Sequence, residues 1–274
     1  MIIYKKNIMI SLRDYISESV LDMQKPENAI KNTIREFLKN TYKGRCIIRK
    51  TPDTDGKYIV DCNGDLIIKN FVGRPSITNG LFKFGSIKGN FQFHGTSETT
   101  SLEGGPEEVG GTCRYYDVNV KTLEGSPKRV RSFECESKDL ISLKGCPEEV
   151  VEFSIISPKL STLKDSPKSV ETYNCSRCTN LSTLEGLPKN VEKLYCINCT
   201  GLTSFKGCPD KLKVFSIDNC WQFGQSDITK VNFPKRVESI HNGNCGWLGE
   251  DIIKVCDFDT CTHSIDPKLR TTRK

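Results

Sequence analysis

Val191-Glu192-Lys193-Leu194-Tyr195-Cys196-Ile197-Asn198-Cys199-Thr200-Gly201-Leu202 decides how the chain is read. Leu194 and Cys196 flank Tyr195 with the two-residue period of a β-strand, so the first two share one face and the tyrosine takes the other. Working outward, Pro188 precedes this stretch and belongs to the series Pro106, Pro127, Pro147, Pro167, Pro188 and Pro209, spaced by 21, 20, 20, 21 and 21 residues, with a looser copy at Pro234. A fixed period of this length marks an array of stacked structural units, each unable to bury its apolar face alone.

The units agree position by position. Three residues after the prolines stand Val109, Val130, Val150, Val170, Val191, Leu212 and Val237; six after, from the second copy, stand Phe133, Phe153, Tyr173, Leu194, Phe215 and Ile240. Eight after come Cys135, Ile155, Cys175, Cys196 and Ile217, and eleven after come Cys178, Cys199, Cys220 and Cys245. Leu140, Leu160, Leu181 and Leu202, then Leu143, Leu163, Leu184 and Phe205, close the units. Each unit therefore supplies one short strand followed by a cramped corner. There a small, readily buried cysteine fits and helps to satisfy the turn backbone. Segments such as Leu123-Glu124-Gly125-Ser126-Pro127 turn the chain back and are too rich in Gly and Pro for a long helix. The first copy departs from the pattern, because Val109-Gly110-Gly111-Thr112-Cys113 holds one extra residue before the strand. A weaker copy begins at Ile87 and includes Phe91 and Phe93.

This text resembles the leucine-rich-repeat family, with its L-x-x-L-x-L-x-x-N/C-x-L core, and is most similar to the short bacterial and bacteriophage type of about 20 residues per repeat. The resemblance covers roughly residues 81 to 245 in six concordant copies. It implies a repeat solenoid, mainly β, with a parallel sheet, a short irregular or 3-10 convex side and a concave contact face. With strands about 4.8 Å apart, seven or so coils make a sheet about 30 Å long whose ends need covering. Lys57 to Cys62 and Asp65 to Lys69 flank Asn63-Gly64, a hairpin signal, so 46–80 is read as a β-hairpin N-terminal cap. Residues 1–45 are read as a helical segment: Ile30, Ile34, Phe37 and Leu38 repeat at helical spacing after Pro26, and Leu12, Ile16, Val20 and Leu21 mark an earlier amphipathic stretch. Ser11 to Asp22 resembles the opening of several tailed-bacteriophage proteins and implies phage origin, with Met9 as an alternative start. The solenoid is assigned 81–245, and 246–274, with Trp247 and Leu248, the C-terminal cap and tail.

Composition narrows the function. The 40 Lys+Arg against 34 Asp+Glu give +6, spread along the chain rather than gathered into a stripe, and no nucleic-acid reader motif is present. Lys5, Lys6 and Asn7 interrupt the apolar start, and no run is long enough to span a bilayer, so neither a signal peptide nor a membrane partner is expected. The 14 cysteines are accordingly expected to persist as thiols in a reducing cytoplasm, the host's if the chain is phage-encoded, with the virion as the alternative location. Cys175-Ser176-Arg177-Cys178 and Cys196-Ile197-Asn198-Cys199 have zinc-site spacing, but Ile155 and Ile217 replace the first cysteine in neighbouring copies, which favours packing over a metal. Cys256-Asp257-Phe258-Asp259 matches the Cys-x-Asp text of repeat effectors that ligate ubiquitin, without the chain length their catalytic domain needs. His94, His241 and His263 stand in no nucleophile or metal motif, and Gly110-Gly111 lacks the Lys-Ser/Thr of a phosphate loop. No catalytic, cofactor or metal residue is assigned.

What remains is the outward strand face, graded from Glu134, Glu152, Ile156 and Asn174 to Lys193, Tyr195, Ile197, Val214 and Asp218. Tyr195, Ile197 and Val214 form an apolar anchor with Lys193 at its edge. The expected function is a non-enzymatic adaptor or inhibitor that binds a protein there, its partner unidentified. The alternatives are a virion component docked through residues 9 to 40 and, remotely, an enzyme with a C-terminal site at Cys256 or His263.

Overall fold

The computed structural model describes residues 2–5, 8–11, 26–41, 45–49, 56–69, 75–220, 227–243, 245 and 249–262. They form two compact units, 1–137 with 145–147 and 138–144 with 148–274, each a parallel-sheet β-solenoid with coils of about 21 residues.

In the first unit, β1 (Ile2–Lys5) and β2 (Ile8–Ser11) form a separate antiparallel pair in which Tyr4 faces Met9. Helix α1 (Pro26–Thr41) follows; the earlier amphipathic stretch from Leu12 to Leu21 lies outside the described residues. Ala29, Thr33, Ile34, Phe37 and Leu38 form its buried stripe, and the Phe37 ring lies 5.4 Å from Phe82. β3 (Arg45–Ile48) runs antiparallel to β4 (Tyr58–Asn63). β5 (Leu66–Ile68), β6 (Phe82–Ile87), β7 (Phe91–His94), β8 (Glu108–Val118) and β9 (Arg129–Ser137) complete the unit.

The expected hairpin at Asn63-Gly64 is corrected. β4 and β5 do not pair with each other; β4 pairs in parallel with β6 and β5 with β7, so they are the two arms of a coil and parallel stacking begins at Tyr58 rather than 81. Asn63-Gly64 turns the chain because its backbone groups are claimed by the next coil. Lys88 N donates to Cys62 O at 3.0 Å, Gly89 N to Gly64 O at 3.2 Å and Leu66 N to Asn90 O at 2.8 Å. Side chains repeat the linkage, Asp65 Oδ1 accepting from Asn90 N at 2.8 Å and Asn90 Oδ1 from Thr112 N at 2.8 Å.

The extra residue at Gly110-Gly111 is present as a β-bulge. Val109 faces Val130 but Thr112 faces Ser132, three steps against two. Upstream, β6 pairs with the start of β8 and β7 with the rest of it, so the bulge is what remains of the coil corner as two arms merge into one strand. The weaker copy fits the same frame, with Ile87 beside Val109, Phe91 beside Cys113 and Phe93 beside Tyr115.

In the second unit β10 (Glu149–Ile156), β11 (Ser169–Asn174), β12 (Lys193–Tyr195), β13 (Lys211–Ser216), β14 (Arg236–His241) and β15 (Asp257–Thr262) pair consecutively and in parallel. Phe153, Tyr173, Leu194, Phe215, Ile240 and Cys261 share one row. The solenoid therefore continues past 245, because β15 adds a further strand where the sequence suggested only a cap. A four-residue helix, α2 (Gly249–Ile252), precedes it, while Trp247, Leu248 and 263–274 lie outside the described residues. The return side is irregular turns, with Ile228–Lys230 the one 3-10 helix among the described residues.

Ring contacts run through both interiors, Phe82 to Phe84 at 5.0 Å and Tyr115 to Phe133 at 5.9 Å in the first unit, Phe153 to Tyr173 at 5.3 Å and Phe205 to Phe215 at 5.1 Å in the second. The expectation of reduced thiols fails at Cys46 and Cys62, which face each other across β3 and β4 and form a disulfide; eleven other described cysteines are free.

The Gly-x-Pro corner sets the coil spacing. Gly186 has φ +99°, a left-handed conformation, and a Cβ there would lie 2.5 Å from the Leu163 carbonyl of the preceding coil. Gly186→Ala meets both the positive-φ penalty of about 1–2 kcal/mol and this backbone contact. It is expected to lower the urea midpoint markedly, whereas Glu185→Ala, on the exposed side of the same corner, leaves it unchanged. Equal midpoints for the two variants contradict this account of the corner.

Candidate functional site

Parallel register converts the strands of the second unit into rows across its open face. One row runs Glu152, Thr172, Lys193, Val214, Ser239, and the next runs Ser154, Asn174, Tyr195, Ser216, His241. Lys193, Tyr195 and Val214 are thus brought together, and Ile197 follows two residues beyond Tyr195 in the turn after β12. All four are half-buried, and Glu152 is exposed. Ile156 ends β10, two coils before Ile197. Asn174 and Asp218 have local tasks: Asn174 Oδ1 accepts from Ser176 N at 2.9 Å, and Asp218 accepts from Gly243 N and, at 3.2 Å, from the Ser216 hydroxyl.

Glu134 belongs to the first unit and the other eight candidates to the second. It pairs with Arg114 at 2.9 Å in a row that continues through Gln92 to Ile67. His94 and Tyr116 are adjacent in the next row, their ring centroids 5.1 Å apart, and Gln92 meets His94 Nε2 at 2.5 Å. Burial, and then the charge of Glu134, hold the Tyr116 hydroxyl above the usual phenol range. Sequence reading found Glu134 but missed its neighbours, because they are brought together only by the register of β7, β8 and β9. It also missed exposed Val151. In β10 both Val151 and Glu152 fall between inward Val150 and Phe153, so simple alternation fails there.

The cysteines occupy the inward and corner positions. Cys175, Cys178, Cys196, Cys199 and Cys220 are buried, as is Cys245. Cys199 Sγ donates to Cys175 O at 3.0 Å and Cys220 Sγ to Cys196 O at 2.9 Å, each reaching a carbonyl of the preceding coil; Cys245 does the same to Ile217 O. Ser137 and Ser157 are the unforeseen counterparts, buried and donating to Val120 O and Leu140 O, both at 2.9 Å. Cys175 and Cys196 bring their sulfurs to 3.4 Å. Among the described residues no three His, Cys, Asp or Glu side chains are placed to hold a metal ion. Burial raises the thiol pKa of both Cys135 and Cys178 to about 12 and holds Cys196 well above the ordinary range, whereas hydrogen bonds from Cys175 and Cys196 lower that of buried Cys199 to about 4.

The remaining motifs have structural places. Cys256 is buried with its Sγ donating to Asp257 O, and Asp259 pairs with Arg236 at 2.6 Å. His241 stands 3.4 Å from the Ser239 hydroxyl, and His263 lies outside the described residues. No described helix is long and apolar enough to cross a membrane. No family model matches the chain, and neither a curated protein nor a solved structure matches it.

A thiol whose pKa is raised on folding favours the folded state only while unfolded thiols remain protonated. Between their ordinary value of about 9 and the folded value of about 12 the unfolded chain releases protons that the folded chain keeps, so stability falls as pH rises. Each such thiol contributes a slope of about 1.4 kcal/mol per pH unit in that window. Urea unfolding at pH 9 to 11 should therefore show a shallower decline for Cys135→Ala/Cys178→Ala than for the parent chain; identical slopes contradict the buried-thiol assignment.

Proposed function

We propose that the chain is a non-enzymatic interaction module that binds a protein through the open face of its parallel sheet. The observation that carries this reading is the register-matched group of Lys193, Tyr195 and Val214, with Ile197 beyond, on a face otherwise lined by Thr172, Asn174 and Ser239. Apolar and aromatic side chains held outward by strands whose opposite face is fully packed are pre-organised, so docking onto them costs little ordering entropy. The thiols that suggest chemistry in the sequence are instead occupied with corner carbonyls.

The test is affinity capture from host-cell lysate with the parent chain and with Tyr195→Glu/Ile197→Glu, after circular dichroism has established that both are folded. A protein retained by the parent and lost from the variant by tenfold or more is the expected result. Equal retention by the folded variant contradicts binding at this face.

A further inference from the structure

The place where the repeat breaks its own pattern also forms a groove. Ser86, Lys88, Gly110, Arg129 and Arg131 line it with Glu108 and the adjoining strand backbone, all within the first unit. The bulge lies beside it, and the absent side chain of Gly110 leaves room for the Lys88 carbonyl, which a Cβ would approach to 2.3 Å. Bulges re-aim neighbouring side chains, and here Lys88, Arg129 and Arg131 are exposed around the bare backbone.

Charge defines what fits. The groove has three cations against one carboxylate, an excess of two positive charges. Glu108 is bound by Arg129 and, with Glu107, also acts on Arg49, which is itself held by Asp61 at 2.8 Å. Lys88 and Arg131 make no ion pair with a described residue. Guanidinium groups match the oxygen geometry of a phosphoryl group, and lysine adds a point charge. We propose that this groove binds a phosphate dianion, either inorganic phosphate or the monoester phosphate of a small metabolite. The site is independent of the face assigned to protein binding.

The experiment follows the backbone amides of Gly110 and Lys88 by NMR in the full chain while inorganic phosphate or glycerol 3-phosphate replaces chloride at constant ionic strength. Saturable shifts are expected, with affinity about tenfold weaker in Lys88→Ala and in Arg131→Ala and unchanged in Lys206→Ala, all variants keeping the parent melting temperature. Tighter binding of inorganic phosphate assigns the free ion, and tighter binding of the ester a phosphorylated metabolite. Unsaturable shifts, or undiminished affinity in folded Lys88→Ala/Arg131→Ala, overturn the proposal.

Discussion

Successive coils lie so close that each corner must be built around the backbone of the one before it. At the Gly-x-Pro corner this leaves no space for a Cβ: at Gly207 it would stand 2.3 Å from Leu184 O, as Gly186 meets Leu163. At the opposite corner the chain turns with carbonyls facing inward, and an unpaired buried carbonyl costs about 1–3 kcal/mol. The side chain of the next coil supplies the donor, a cysteine from Cys178 onward and a serine at Ser157. Steric exclusion on one side and polar satisfaction on the other fix where each coil sits on its predecessor.

Once that position is fixed, the interior follows. Identical inward positions form rows of Phe, Tyr, Leu and Ile, and a residue in one coil packs chiefly on its counterparts in the next, the nearest-neighbour energetics of a repeat array. Exposed ion pairs reproduce the coil spacing on the surface, as between Lys168 and Glu148 at 2.6 Å and Lys213 and Glu192 at 2.5 Å. In water such pairs add little to stability. Their regularity is a consequence of stacking and not its cause.

The repeated part of the fold was legible because stacking imposes the same demand at the same position many times: the inward row through Tyr173, Leu194 and Phe215 and the corner cysteines were all readable from proline spacing. Legibility ended where the coil changed shape. Tyr58 to Ile68 carries a local hairpin signal at Asn63-Gly64, and only the parallel partners Phe82 to Phe93, distant in sequence, reveal it as a two-armed coil. β15 was hidden because the Pro-based pattern stops before it, and the Cys46–Cys62 disulfide because pairing depends on an antiparallel register that spacing does not encode. At the open face the sequence placed Tyr195 and Val214 outward, yet gave no sign that Asn174 and Asp218 are bonded to neighbouring backbone. The Arg114–Glu134 and His94–Tyr116 contacts arise only from the register of β7, β8 and β9.

Interior and open face depend on one register, since a slip of a single residue exchanges the two faces of every strand. The most direct test is alkylation of the native protein at neutral pH with mass-spectrometric reading of each cysteine. Half-buried Cys146 should be modified first and half-buried Cys208 more slowly, because burial raises its thiol pKa, with Cys113, Cys135, Cys175, Cys178, Cys196, Cys199, Cys220 and Cys245 protected until the protein unfolds. Modification of Cys196 and Cys199 in the folded chain as fast as Cys146 would place them outside, turn Tyr195 and Ile197 inward, and contradict both the packing and the surface derived from it.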